Sequence, residues 1–204
     1  MRVAVLASGR GSNLRALARA VDAGRCAVEL VGLVSDRSSA EALAFAASRD
    51  MKTRLVRPRD HEHRAAWDAA LARAVDSLEP ELVVLAGFMR LLGPAMLEAF
   101  ADRVVNVHPS LLPAFPGMHA PQQALDAGVR ITGCTVHLVD EGVDTGRILA
   151  QGAVPVRPGD DAARLHARIQ RLEHRLLPDV VHALAQGTLD AIEPCFEKGE
   201  DPSP

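Results

Sequence analysis

The feature that most constrains this chain is an alternation of short β-branched runs with segments of helical spacing. Arg2 to Ala7 is apolar and β-branched, stops at Ser8-Gly9-Arg10-Gly11-Ser12-Asn13, and gives way to Leu14, Leu17, Ala18 and Val21 at helical spacing up to Gly24. The order then repeats: a strand over Val28 to Val34, a helix over Ala40 to Arg49, a strand over Thr53 to Val56 and a helix over Ala65 to Ser77. Leu82 to Ala86 is an unbroken apolar run, as expected of a strand covered on both faces, and a short helix near Pro94 to Phe100 leads to a strand over Val104 to Val107. Strands alternating with helices imply a mostly parallel, Rossmann-like sheet with helices on both faces and a site at the strand ends.

From Pro109 to Gly117 the pattern fails, because three prolines and a closing glycine sustain neither a helix nor a central strand. A structured loop is expected there. Ile131 to Val139 and Ile148 to Val156, separated by turn residues, read as an antiparallel extension near the C-terminus. Asp160 or Asp161 can cap a long last helix whose stripe is Leu165, Ile169, Leu172, Leu176, Val180 and Leu184, ending near Gly187; the tail after Glu197 is expected to fray. No repeat or linker divides the chain, so one α/β domain over residues 1–204 is expected.

Composition excludes several classes. A 48% hydrophobic, 24% charged chain is globular, and a net charge of -3 argues against nucleic acid as a partner. No segment approaches the roughly 18 apolar residues of a membrane helix, and the apolar run at the start is too short for a signal peptide. Cys26, Cys134 and Cys195 are odd in number and far apart, which fits free thiols in the cytoplasm. No histidine stands in metal-ligand spacing, so no metal is expected, and no serine or cysteine sits in a nucleophile motif.

Two places carry chemistry. Gly9 to Asn13 joins a strand to a helix, where backbone N–H groups and the helix dipole can hold a phosphate; the plainer reading is a tight turn with Ser12 or Asn13 as helix cap. Leu14 stands where a dinucleotide loop needs its third glycine, although Asp36 ends the second strand where a ribose-binding carboxylate would lie. A non-catalytic nucleotide-binding module is therefore a rival reading. Asn106 and His108, two apart at a strand end, point to one side and can address one atom, a proton source beside an amide donor suited to a tetrahedral oxyanion. The alternative is a polar pair bonded to backbone. Asp140, Glu141 and Asp144 crowd one turn, for which a solvated acidic loop is the usual explanation; an Asp144 brought beside His108 would favour the imidazolium. Trp67 and the Met89, Leu91, Leu92 group read as core or pocket wall that could flank a planar ligand.

The ordered set Ser8 to Asn13, Ala86-Gly87-Phe88-Met89-Arg90, Asn106-Val107-His108-Pro109-Ser110-Leu111-Leu112-Pro113 and Asp140 to Gly146 resembles the folate-dependent formyltransferase superfamily, and within it the phosphoribosylglycinamide formyltransferases, almost end to end. That resemblance implies 10-formyltetrahydrofolate as formyl donor and the amine of glycinamide ribonucleotide as acceptor, in de novo purine synthesis. It implies Asn106, His108 and Asp144 as the reacting group, with His108 as general acid. Gly11, Ser12 and Asn13, joined by Gln170, Arg171, Leu172 and Glu173, would hold the ribonucleotide. Arg64, Met89, Arg90, Leu91, Leu92, Asn106, Asp140, Glu141, Gly142, Val143 and Asp144 would contact the folate. The N-terminal half would thus bind phosphate and the C-terminal half carry the folate and catalytic loops, in a monomer or homodimer acting on small molecules. The chain departs from the family pattern at Arg147, Ala65 and Pro121. A 10-formyltetrahydrofolate hydrolase is the rival within the superfamily.

Overall fold

The structure, a computed structural model, describes residues 1–196. The tail after Glu197 lies outside the described residues, as does the end of the 1–204 range. The elements run β1 (Arg2–Leu6), α1 (Ser12–Asp22), β2 (Glu29–Ser35), α2 (Glu41–Ala47), β3 (Lys52–Leu55), α3 (Arg64–Asp76), β4 (Leu82–Leu85), α4 (Pro94–Ala99), β5 (Val104–His108), α5 (Ala120–Asp126), β6 (Ile131–Leu138), β7 (Ile148–Pro155), α6 (Ala162–Gln186) and β8 (Cys195–Phe196). The strands form one sheet in the order β3-β2-β1-β4-β5-β6-β7-β8. β1 to β5 are parallel, β6 runs antiparallel to both β5 and β7, and β8 pairs parallel with β7. The single α/β sheet with its antiparallel extension is therefore as the sequence predicts.

Two apolar layers account for this arrangement. One side of the sheet packs Val3, Val5, Val84, Val105 and Val136 against α1 and the α6 stripe of Leu165, Ile169, Leu172, Leu176 and Val180. The other packs Ala4, Leu6, Val83 and Leu85 against Trp67, Leu71 and Val75 of α3 and Met96 of α4. Alternate residues of β1 and β4 thus face opposite layers, and both layers exclude water, which is why β4 reads as continuously apolar. Each large aliphatic side chain so buried contributes about 1.5–3 kcal/mol.

Two elements depart from the sequence reading, and the long last helix forms as that reading expects. The stretch after His119, for which the sequence pattern predicts no element, forms α5, with Pro121 in its first turn where a missing N–H leaves no bond unmade. β8 is too short, at 2 residues, to leave a pattern. α6 runs 25 residues straight through Pro178, because the buried stripe on either side of it outweighs the lost hydrogen bond. Asp161 caps α6 by accepting from the Arg164 amide, and Asp160 instead pairs with the buried Arg168. Gly187 closes the helix in the left-handed conformation.

Candidate active site

The sheet order reverses between β1 and β4, where the connections leave to opposite faces and a crevice must open beyond the strand ends. A cavity of about 940 Å³ lies there, and among its walls are Gly9 to Asn13, Gly87 to Leu92, Asn106 to Pro109 and Asp140 to Asp144. The two loops at the reversal are stapled together: the Ser8 amide donates to the Gly87 carbonyl at 3.1 Å and the Met89 amide to Ser8 Oγ at 2.9 Å.

At the α1 end, Gly11 is the residue before the helix and has φ +72°; a Cβ there would sit 2.8 Å from that of Ala42. Only glycine fits both the conformation and the space. No side chain caps α1, so neither Ser12 nor Asn13 is the cap that the plainer sequence reading offers. Both turn toward α6 instead: Gln170 Nε2 donates to Ser12 Oγ at 3.0 Å, and Asn13 Nδ2 donates to Glu173 Oε2 at 3.0 Å. The first-turn amides of α1 are left without a side-chain acceptor, the condition for anion binding at a helix start. Burial pushes the Glu173 carboxyl up, against the Asn13 bond that favours its ionised form. His166, two turns earlier on the same face of α6, is pushed down by burial and then by the charge of Arg10, which also lines the cavity.

At the β5 end, Asn106 and His108 do share one side, and the acidic turn brings Asp144, rather than Asp140 or Glu141, between them. His108 Nδ1 lies 3.3 Å from Asp144 Oδ2 and its Nε2 lies 2.9 Å from the Phe115 carbonyl. Both ring nitrogens thus face oxygen acceptors. Asn106 Nδ2 donates toward Asp144 Oδ1 at 3.4 Å, and the Gly117 amide donates to Oδ2 at 2.8 Å. Burial pushes the Asp144 carboxyl up, but the His137 and Gly117 hydrogen bonds and the neighbouring imidazoles outweigh it and hold the group below the usual aspartate value.

Sequence reading missed His137, which completes this cluster. It is fully buried on β6 directly opposite Asn106 in the antiparallel ladder, its Nε2 3.1 Å from Asn106 Nδ2 and 3.6 Å from Asp144 Oδ1. Its Nδ1 meets the Leu138 carbonyl at 2.7 Å, so Nδ1 holds the hydrogen and Nε2 is turned to the cluster. The signal was a histidine inside a buried strand, legible only with the β5–β6 register. Thr135 was missed too: its hydroxyl donates to the Ser110 carbonyl at 2.7 Å and accepts the Leu112 amide at 3.0 Å, which fastens the proline loop after His108 to β6.

The remaining expected contacts divide. Met89, Arg90, Leu91, Leu92, Asp140, Glu141, Gly142 and Val143 line the cavity, as do Gly11, Ser12, Asn13, Gln170 and Glu173. Met89 and Leu91 are exposed there, whereas Trp67 is core, stacked on Phe88 with Nε1 donating to the Val56 carbonyl at 2.9 Å. Asp140 braces its own turn, accepting from the Gly142 amide at 3.1 Å and from Thr145 Oγ1 at 2.7 Å. Arg64, Arg171 and Leu172 do not line the cavity. Arg64 lies over the Trp67 ring and donates to the Leu91 carbonyl, supporting the loop from behind. Leu172 is core, because two residues along a helix from Gln170 is a turn of about 200°, away from the cavity. Asp36 is buried against Arg90 Nε at 3.0 Å and offers no face to a ribose, which removes the ribose-binding carboxylate from the nucleotide-module reading.

A fold of this topology, with its polar cluster at the reversal point, matches the formyl transferase family over residues 1–181, and the chain belongs to that family of enzymes. Phosphoribosylglycinamide formyltransferase of Mycobacterium tuberculosis (strain H37Rv) is 51% identical over 184 residues, covering 90% of this chain and 85% of the relative. Within the family, then, the chain stands with the phosphoribosylglycinamide formyltransferases. The crystal structure of glycinamide ribonucleotide transformylase 1 from Symbiobacterium toebii superposes with a TM-score of 0.90 at 44% identity, covering 92% of this chain and 88% of that one. A formyltetrahydrofolate deformylase from Pseudomonas syringae pv. tomato shares the fold at TM-score 0.83 but only 26% identity, and this chain covers 61% of it.

Proposed function

We propose that the chain transfers the formyl group of 10-formyltetrahydrofolate to the amine of 5-phosphoribosylglycinamide, a step of purine biosynthesis in the cytoplasm. The observation that carries this reading is a single cavity with an uncapped helix start at one end and the Asn106, His108, His137, Asp144 cluster at the other. Gly11, Ser12 and Asn13 hold the acceptor phosphate, and Gln170 and Glu173 approach its ribose. The planar donor lies along the Met89 to Leu92 wall and the Asp140 to Val143 turn. The amine then attacks the formyl carbon directly. As the carbonyl oxygen gains charge, the Asn106 amide donates to it together with the imidazolium of His108, whose Nε2 exchanges the Phe115 carbonyl for it; the bond from carbon to the folate nitrogen then breaks, His108 gives its proton to that leaving nitrogen, and the attacking amine, which gained a positive charge on addition, returns a proton to His108. Asp144 keeps His108 charged and oriented, and His137 holds Asn106 and Asp144 in register. This division assigns ribonucleotide binding to the N-terminal half with α6, and donor binding to the loops after β4 and β6.

The test is to incubate the protein with 10-formyltetrahydrofolate, with and without glycinamide ribonucleotide, following folate absorbance and free formate. Transfer that requires the acceptor, without formate, is the expected outcome. Formate released in the absence of acceptor identifies a hydrolase and overturns the proposal.

A further inference from the structure

The strand ladder sets three side chains in one row: His108 on β5 lies opposite Thr135 on β6, and Thr135 lies opposite Gln151 on β7. Their neighbours Val107, Cys134, Val136 and Ala150 belong to the layer packed on α6, so by strand alternation the row points to the other face. There the loop after His108 folds back over it. Pro109, Pro113 and Pro116 deprive this loop of amide donors, and its carbonyls must be held by donors from elsewhere. Gln151 supplies two. Its Nε2 donates to the Leu112 carbonyl at 2.8 Å and to Thr135 Oγ1 at 3.0 Å, which uses both hydrogens of the amide. The Thr135 hydroxyl is thereby saturated, because it gives its hydrogen to the Ser110 carbonyl and accepts from the Leu112 amide and from Gln151. The neighbours of position 151 therefore demand a donor there.

We propose that Gln151 is a positioning residue for the formyl transfer, fixing at Leu112 the loop that aims His108 and Asp144. The inference rests on the reaction proposed above. Beyond Leu112 the same loop brings the Phe115 carbonyl to His108 Nε2 at 2.9 Å and the Gly117 amide to Asp144 Oδ2 at 2.8 Å. A loop that slides at Leu112 misplaces both members of the pair, and a misplacement of about 1 Å can cost roughly 100-fold in turnover. Neither Gln151 nor Thr135 lines the reaction cavity, so the groups that meet the substrates are left as they are.

The experiment uses Gln151→Glu, which keeps the shape but turns two donors into acceptors facing a carbonyl and a saturated hydroxyl. At neutral pH its kcat should fall about 30- to 100-fold, while KM for donor and acceptor stays within about twofold. The new carboxyl, enclosed among acceptors, should protonate as pH falls toward about 5 to 6 and regain one O–H donor. The ratio of its kcat to that of the wild type should therefore climb in acid. Gln151→Leu has no proton to regain and should lose about tenfold in kcat at a ratio flat with pH; it carries the test if the glutamate variant does not fold. A kcat within about twofold of the wild type in the variants, a flat ratio for Gln151→Glu, or a loss that falls on KM overturns the proposal. The ring-nitrogen NMR resonances of His108, identified by their absence from His108→Ala, read the positioning without turnover. They should move in both variants, and unmoved resonances overturn the proposal. A wild type that transfers no formyl group counts against the formyl-transfer reading, and the resonances then decide the positioning on their own.

Discussion

At the β5–β6 end of the cavity polar groups answer one another: Asn106, His108 and His137 all converge on Asp144, whose second oxygen also takes the Gly117 amide. At the α1–α6 end the side chains are likewise paired, Ser12 with Gln170 and Asn13 with Glu173, but the helix amides between them have no side-chain cap. The difference separates two tasks. Groups that already satisfy one another can hold their geometry while charge moves through them, whereas unsatisfied donors can take up an anion that arrives with its own charge.

The contrast predicts where each substitution is felt. Asn106→Ala should lower kcat by about 100- to 1000-fold with the fold intact by circular dichroism; a loss under about tenfold would remove Asn106 as an oxyanion donor. Asp144→Asn should lower kcat by about 100-fold, and the limb of the pH–rate profile on which activity falls with rising pH should move to lower pH, since the charge favouring the imidazolium has gone. An unmoved limb defeats that role. At the other end, the Ser12→Ala, Asn13→Ala double variant should raise the Kd for the ribonucleotide about tenfold, or roughly 1.4 kcal/mol, and leave the donor Kd unchanged. Equal losses for both ligands would erase the distinction between the ends. Gly11→Ala should cost about 1–2 kcal/mol of stability in urea unfolding from the left-handed backbone alone, with the Ala42 contact adding to it. The smallest effect is a pH dependence of stability. Asp144 is held below its ordinary value, so its contribution is complete above the unfolded-chain value of about 3.9 and declines as pH falls through the lowered native value. The stability gap between wild type and Asp144→Asn should therefore narrow in acid; a gap that widens would contradict the assigned direction.

How much of this was legible in the sequence depends on how far apart the deciding residues lie. β1 to β5 and α1 to α4 declare themselves through local periodicity, and Asn106 and His108 share a side by strand geometry alone. Asp144 and His137 do not, because their membership depends on β6 lying antiparallel to β5 and on the turn at Asp140 folding back, contacts 38 and 31 residues from Asn106 in sequence that no local pattern encodes. The same limit hid Thr135 behind the proline loop. It also misassigned Leu172, where a stretch named as a block, Gln170 to Glu173, turned out to present alternate faces of one helix. Resemblance selected Asp144 from among its acidic neighbours, and the geometry gives the reason: only that carboxylate reaches both histidines.

The pairing of Asn106 with His137 across the β5–β6 ladder also sets an arithmetic on how this protein can change. The loops joining the two strands can gain or lose residues without moving the pair, because loop length is absorbed at the surface. Within β6 the count is fixed: a one-residue slip would set Val136 or Leu138 against Asn106 and turn the imidazole to the opposite face. A lineage of such chains is thus free to drift in the segment around α5 and nearly frozen in the spacing between Thr135 and His137, a frame-like constraint that acts on residue number even where residue identity is relaxed.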